Sequence, residues 1–436
     1  MLERFPEFYT TDAVHADVMN TKIVQPGNKI VEFLERPYSG DVIGFEWDAS
    51  STSPVLRRID GGGRYITSLP SDYFDKHAIF DRRRCTRDRA TGVITLSNGR
   101  GDELVLDGTA GDVLVRKPKY YYKFECEYPY YRWWFSAEPH VGFKVWPAFL
   151  QRGNPQNPSA ADYLYSGAYE AYGYVDGSEF RLGSASGKQP VTGDVGYPGL
   201  PNNGRFTIND AELYASRISP GNAGITNFWD YVGDQLLMYL EFGTFDLQSA
   251  LGKGIVDLPV GEGFAGKLTG ADNIDSRLAE NGTGVGSGIN GKTPVTWRGI
   301  ENPYGNVWKF IIGANFDVGA YRLIKRDGTG TLAATLAAGS YEEGTGASLT
   351  SGYVSALLED ELGGLAIMPS AAGGSDSTYL CDYWYPPTGS GRILLAGGSW
   401  SAGRFAGPGY RNANDSVSSS KRYAGARVEF RPPKET

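Results

Sequence analysis

Apolar positions recur along this chain at two periods. The first 36 residues carry the longer one. In TTDAVHADVMNTKIVQPGNKIVEFLE, Val14, Val18 and Ile23, then Ile30, Val31 and Leu34, fall at roughly helical spacing, and Pro26-Gly27 breaks the run between them. From about Pro37 the pattern shortens to alternation. DVIGFEWDAS, LRRIDGGG, GVITLSNGRGDELVL and GDVLVRKPKYYYKFECEY read as strands, with Gly, Asn-Gly and Asp-Gly turns between them. YYYKFECEYPYYRWW is dense in aromatics, which favour strands and contribute heavily to cores and interfaces.

The helical period returns in NFWDYVGDQLLMYLEFGTF, where Trp229, Val232, Leu236, Leu237 and Leu240 repeat at three and four. Asn227 suits the N-cap, Asp230 takes the capping-box position and Gly243 suits the stop. Residues 254–293 are rich in Gly, Asp and Asn and read as long loops with brief strands. After them VWKFIIGANFDVGAYRLI, GYVSALLED, GGLAIMP, CDYWYP, RILLAGGSW and AGARVEF are strand-like. Between the last two lies an aperiodic stretch of Gly, Ser, Asn, Arg and aromatic residues, expected to be an irregular loop. No fixed-period repeat is present.

The expected class is α+β: a short N-terminal helical segment, a β-rich middle region and a C-terminal domain with long irregular loops. The expected divisions are 1–36 for attachment or oligomerisation, 37–112 for a small β-rich domain and 113–436 for a larger domain. A length of 436 residues fits more than one core.

Composition narrows the classes. With 59 Gly, 28 Tyr and 21% charged residues, the chain is globular and loop-rich rather than disordered. A net charge of −8 argues against a general nucleic-acid binder. The tail from Gly391 to Thr436 differs, with eight Lys/Arg against three Asp/Glu. Cys85, Cys126 and Cys381 are too far apart for a disulfide framework or a Cys-x-x-Cys metal pair, and read as small core residues. No apolar run of signal-peptide length opens the chain, and none approaches the roughly 20 residues of a membrane span. The expectation is a chain made in a cytoplasm, soluble and without membrane insertion.

Candidate catalytic chemistry is sparse. No Gly-x-Ser-x-Gly elbow is present. The chain has three histidines, His15, His77 and His140, all in its first 140 residues. Glu342-Glu343 and Glu359-Asp360-Glu361 read as solvated acidic faces rather than a glycosidase pair, and Asp327-Gly328-Thr329-Gly330 reads as a hairpin turn. Asp272, Asn273, Asp275 and Asn281 offer oxygen ligands for calcium without EF-hand spacing. No metal site and no cofactor is expected.

Three ordered segments carry a resemblance. WRGIENPYGNVWKFI, RILLAGGSW and YAGARVEF resemble the C-type-lectin-like fold, in the branch shared by formylglycine-generating enzymes and the variable proteins of diversity-generating retroelements. The positions that match the family motifs are Asn306 and Trp308, then Gly397, Gly398, Ser399 and Trp400, then Arg427. Upstream, GDVLVRKPKYYYKFE, SAEPHVGFKVWPAFLQRG, YLYSGAYEA and LEFGTFDLQSALGKG look like runs in phage and prophage tail-fibre or receptor-binding proteins.

The resemblance implies a fold and a use. The related enzymes carry two cysteines after the Gly-Gly-Ser motif; the matching positions here are Ala402 and Gly407, which can neither ligate a metal nor act as nucleophiles. What the resemblance implies is therefore a non-catalytic virion adhesion protein, a homotrimer that meets other virion proteins through its N-terminal segment and binds a glycan or protein on the host bacterial surface. A structural capsid-fibre or baseplate protein is the alternative. In the retroelement group the segment after Gly-Gly-Ser-Trp is the exposed, variable one. Here that segment is 401–423, and its expected ligand contacts are Ser401, Arg404, Phe405, Tyr410, Asn412, Asn414, Ser416, Lys421 and Tyr423. Tyr and Phe supply contact area at low entropy cost, while Ser and Asn supply adaptable hydrogen bonds.

Overall fold

The structure, a computed structural model, describes residues 41–97, 104–151, 159–193, 196–259, 269 and 282–431. The expected helical segment 1–36 and the calcium candidates Asp272, Asn273, Asp275 and Asn281 lie outside the described residues. Strand outweighs helix, 34% against 14%, so the architecture is β-rich with few helices.

The aromatic-dense stretch folds as two strands of a five-stranded sheet, in the order Arg57–Asp60, Ile43–Asp48, Tyr130–Ser136, Tyr121–Glu127 and Lys144–Val145. Alternation points Ile43, Phe45 and Trp47 inward, opposite Phe135, Trp133 and Tyr131. Phe45 stacks on Trp133 with ring centroids 4.9 Å apart. Each buried indole of this layer contributes roughly 4–6 kcal/mol at most.

The helix Phe228–Phe242 is linked to this aromatic layer through the indole of Trp146, which donates to the Trp229 carbonyl at 2.7 Å. Its ends form as the sequence suggests: the Asn227 side chain accepts from the Trp229 and Asp230 amides, and Gly243 closes the helix at φ 67°. The capping box does not form. The Asp230 carboxylate turns to Lys117, both oxygens 2.9 Å from Nζ, and Glu429 takes the Asn227 amide instead.

A six-stranded sheet runs Ala223–Ile225, Val428–Phe430, Tyr163–Gly167, Asp112–Pro118, Arg83–Arg87 and Ile94–Leu96. The boundary expected at 112/113 falls inside one of these strands, Asp112–Pro118, which pairs with Arg83–Arg87 on one side and Tyr163–Gly167 on the other. Residues 37–112 therefore do not form a sheet of their own: their described strands complete two sheets with later strands. The turn signals mark hairpin ends, while the pairing partners come from far along the chain.

The nine-stranded sheet positions the site. Its order is Tyr341–Thr345, Ala320–Ile324, Trp308–Asp317, Arg392–Ala396, Arg411–Ser416, Tyr383–Tyr385, Gly352–Leu357 and Pro369–Ala372, with Ala424–Gly425 parallel to the start of Trp308–Asp317. All three motif segments thus meet: Trp308–Asp317 pairs with Arg392–Ala396 and lies against Ala424–Gly425. Asn306 is buried at φ 58°, its amide donating to the Ile255 carbonyl at 2.7 Å and its side chain to Glu170. Trp400 packs with Ile255 and Leu258, and the Ser399 carbonyl closes a turn by accepting from the Ala402 amide. Arg427 is buried, its guanidinium donating to the carbonyls of Gly167, Glu301 and Asn302, which makes it a structural clamp rather than a ligand contact.

Segment 401–423 is the main departure from expectation. It is not an irregular loop throughout. It forms a turn of 3-10 helix, Gly403–Phe405, and then the strand Arg411–Ser416, inserted between Arg392–Ala396 and Tyr383–Tyr385. Its inward residues are Arg411, Ala413 and Asp415, so the buried face of the strand carries two charges and one methyl group. Arg411 meets this by donating to the carbonyls of Ala366 and Ile367 and to Gln235.

Candidate functional site

Alternation in the short strand Tyr383–Tyr385 decides what the sheet presents. Trp384 points inward, fully buried, with its indole donating to the Ser348 carbonyl at 2.9 Å. Tyr383 and Tyr385 then share the opposite face. Tyr353 stands directly across from Tyr383 in register, with ring centroids 5.3 Å apart. Asn412 stands across from Tyr385.

The turn Gly403–Phe405 lays the Phe405 ring over this pair, 4.5 Å from Tyr383 and 5.6 Å from Tyr353. Tyr410 completes the group. Its ring contacts Trp308 at 4.4 Å and lies 6.0–6.4 Å from Tyr383, Tyr385 and Phe405. Gly398 makes room for it: at φ 82°, a Cβ there would stand 3.0 Å from the Tyr410 ring and from Ala406. Tyr385 and Phe405 are each 40% exposed, whereas Tyr410 is 4% exposed and forms the floor.

The polar groups on this face divide into used and unused. The hydroxyls of Tyr353, Tyr383, Tyr385 and Tyr410 find no hydrogen-bond partner among the described residues. They lie close enough to influence one another: burial, then Tyr385, Tyr383 and Tyr353, raise the Tyr410 hydroxyl well above its ordinary range. Burial and then Asp376 push Tyr353 up to about 12. The hydroxyls of Tyr353, Tyr383 and Tyr410 are therefore neutral donors and acceptors at physiological pH. The asparagines are already engaged. Asn412 donates to Asp415 at 3.1 Å and accepts from the Asn414 amide, while the Asn414 side-chain oxygen accepts from the Thr388 amide and hydroxyl.

Of the nine expected contacts, the structure brings Phe405, Tyr410 and Asn412 together around the rings. Arg404 is exposed and ion-paired with Asp376. Lys421 pairs with Asp415 at 2.5 Å and lies 5.5 Å from the Tyr423 ring centroid. Ser416 closes a local turn with Ser418 and Ser419, and Ser401 is exposed ahead of the Gly403–Phe405 turn. Sequence reading missed Tyr353, Tyr383 and Tyr385. The signal was available in DYWYP, where strict alternation puts two tyrosines on one face of a strand.

A second polar concentration is buried. Lys117 lies between Asp230 and Asp234, and Asp234 also pairs with Arg82 at 2.7 Å. Beside them Lys309 pairs with Glu170 at 2.9 Å and donates to the Gly305 carbonyl. A cavity of about 40 Å³ separates the two pairs, lined in part by Lys117, Asp230, Asp234, Lys309 and Arg427. Burial lifts Asp230 to about 6 and lowers Lys309 to about 8, while Asp234, though buried, is held down by Arg82 and Lys117. Every charge here has a partner, and the space suits ordered water.

Catalytic candidates are likewise occupied by structural work. Glu342 binds Arg326, Glu343 binds Arg322, and Glu361 binds Lys144 and Arg326. Asp327 accepts from the Thr329 amide and hydroxyl, a local turn inside the long connection between the strands Ala320–Ile324 and Tyr341–Thr345 rather than the expected hairpin turn. His77 and His140 both bond to Asp41, and burial lowers the His77 pKa. Cys85, Cys126 and Cys381 are free thiols, and burial pushes Cys85 up to about 12. Among the described residues no group of three or more His, Cys, Asp or Glu is placed to hold a metal, and no helix is long and apolar enough to cross a membrane.

No family model and no curated protein matches the chain. Among solved structures, PvdO from Pseudomonas aeruginosa aligns at 11% identity and a TM-score of 0.28, covering 77% of this chain and 99% of its own. The Major Tropism Determinant U1 variant aligns at 12% identity and a TM-score of 0.27, covering 93% and 88% respectively. Its P3c variant gives 12% identity and 0.26, covering 92% and 86%. TM-scores this low carry no inference about this chain.

Proposed function

We propose that this chain is a non-catalytic recognition protein of the virion adhesion type, binding a glycan or protein of a host bacterial surface through the aromatic face of its nine-stranded sheet. The observation that carries this reading is the cluster of Tyr353, Tyr383, Tyr385, Phe405 and Tyr410, with four tyrosine hydroxyls that have no hydrogen-bond partner among the described residues. Exposed rings supply contact area and the hydroxyls supply donors and acceptors, the combination that recognition surfaces favour. The ordered motifs around Trp308, Gly397-Gly398 and Arg427 fit the same reading. In it the chain works as a homotrimer held to other virion proteins through residues 1–36, and linked copies raise a modest single-site affinity.

The test is adsorption of labelled full-length protein to a panel of intact bacterial strains. Strains that capture the protein are expected to lose it when Tyr385 and Phe405 are both replaced by Ser. Capture by no strain, or capture that survives the double substitution, contradicts the proposal.

A further inference from the structure

Behind the aromatic face lies an acid that the recognition reading does not use. Asp382 immediately precedes the strand Tyr383–Tyr385 and is buried. Its Oδ2 accepts from the Gly409 amide at 2.7 Å and from the Tyr239 hydroxyl at 3.3 Å. A Cβ on Gly407 would stand 1.8 Å from Oδ1, so the chain crosses the carboxyl here only as glycine. Gln248 holds the near end of the same crossing, donating to the carbonyls of Gly403 and Ala406 at 2.9 and 2.6 Å. The segment that carries Phe405 and leads into Tyr410 is also held by the Gly403 amide on the Val256 carbonyl, by the Tyr231 hydroxyl on the Pro408 carbonyl and by the Arg404–Asp376 pair, and the buried carboxyl group among these ties is that of Asp382.

The surroundings do not favour a charge. A cavity of about 10 Å³, room for one water, adjoins the carboxyl and is lined in part by Asp246, Asp376 and Arg404. Asp246 caps the short helix Leu247–Ala250 and adds negative potential. Arg404 is committed to Asp376, and Arg411, from the neighbouring strand, is committed to the carbonyls of Ala366 and Ile367 and to Gln235. The remaining titratable neighbours, Cys381, Tyr231, Tyr239, Tyr304 and Tyr353, are all raised by burial and stay neutral.

We propose that Asp382 is a proton-operated latch: neutral, it holds segment 403–410 closed over the strand Tyr383–Tyr385, and ionised, it lets that segment open. As regulation of the binding face it rests on the recognition reading, but the latch is read without any ligand. Burial lifts the closed-state carboxyl to about 8, against the pull of the Gly409 and Tyr239 bonds. In the open state the group meets water and titrates at roughly 4. The closed state thus holds a proton that the open state releases across that interval. The closed-to-open ratio falls by up to about tenfold per pH unit as pH rises through the window, and levels off above it.

Hydrogen exchange of the full chain, corrected for intrinsic rates, tests this. Between pH 5 and pH 9, on the order of the window above, peptides covering 403–411 are expected to lose protection while the helix Phe228–Phe242 does not. In Asp382→Asn, which has no proton to lose, the dependence disappears. Asp246→Asn keeps a competent cap and removes the like charge, so levelling-off moves to lower pH. Protection that is independent of pH in the unmodified chain, or unchanged pH dependence in Asp382→Asn, overturns the latch. If Asp382→Asn fails to fold by circular dichroism, the Asp246→Asn shift decides: a shift supports the latch and its absence overturns it. Neither result alters the adsorption test, which reads Tyr385 and Phe405.

Discussion

The buried junction around Lys117 and Lys309 and the aromatic face around Tyr383 are the two most chemically varied regions of the molecule, and they treat polar groups oppositely. In the junction each charge is matched: Lys117 to Asp230 and Asp234, Lys309 to Glu170, Arg427 to three carbonyls. On the face, hydroxyls of Tyr353, Tyr383, Tyr385 and Tyr410 have no protein partner among the described residues. Saturation marks a group that holds the fold, because a buried polar group left unpaired is costly. Vacancy at a half-exposed aromatic surface marks a group available to something else.

The largest effect that separates the two regions is expected inside the junction. Glu170→Ala leaves Lys309 buried without its carboxylate and should cost about 3–5 kcal/mol in urea unfolding. A loss below about 1 kcal/mol would show that the junction is not saturated as described. Next comes the link between the regions. Gly398→Ala forces a side chain into φ 82° and against Tyr410, with an expected cost of about 1–3 kcal/mol and a drop in adsorption as the floor of the face shifts. Tyr385→Ser should reverse the balance. It changes stability by about 0.5 kcal/mol or less, yet removes about 2 kcal/mol or more of binding. Asn414→Ala is the smallest: its side-chain oxygen already serves Thr388, so adsorption and stability should each move by about 0.5 kcal/mol or less.

The sequence made local structure legible where a period and its punctuation agree. The helix Phe228–Phe242 shows both, with Asn227 and Gly243 at its ends. Its capping box failed because Asp230 is claimed by Lys117, more than a hundred residues away in sequence. Position 112/113 lies inside the strand Asp112–Pro118 for a related reason, since strand partners are chosen by long-range pairing that local turn signals do not encode. The strand Arg411–Ser416 was hidden differently. Its buried face is Arg411, Ala413 and Asp415, so burial there follows hydrogen bonds to Ala366, Ile367 and Gln235 rather than apolar alternation. Phe405, Tyr410 and Asn412 could be picked out from residue type alone. Tyr353, Tyr383 and Tyr385 join them only because two further strands are added beside Arg411–Ser416.

Hydroxyl-radical footprinting of the full chain, free and adsorbed to a capturing strain, tests the central claim most directly. Tyr65 and Tyr128, exposed at 54% and 64% beside the five-stranded sheet, serve as internal controls. The account predicts that adsorption suppresses oxidation of Tyr385 and Phe405 and leaves Tyr65 and Tyr128 unchanged. Suppression at Tyr65 and Tyr128, with Tyr385 and Phe405 still oxidised, would contradict it.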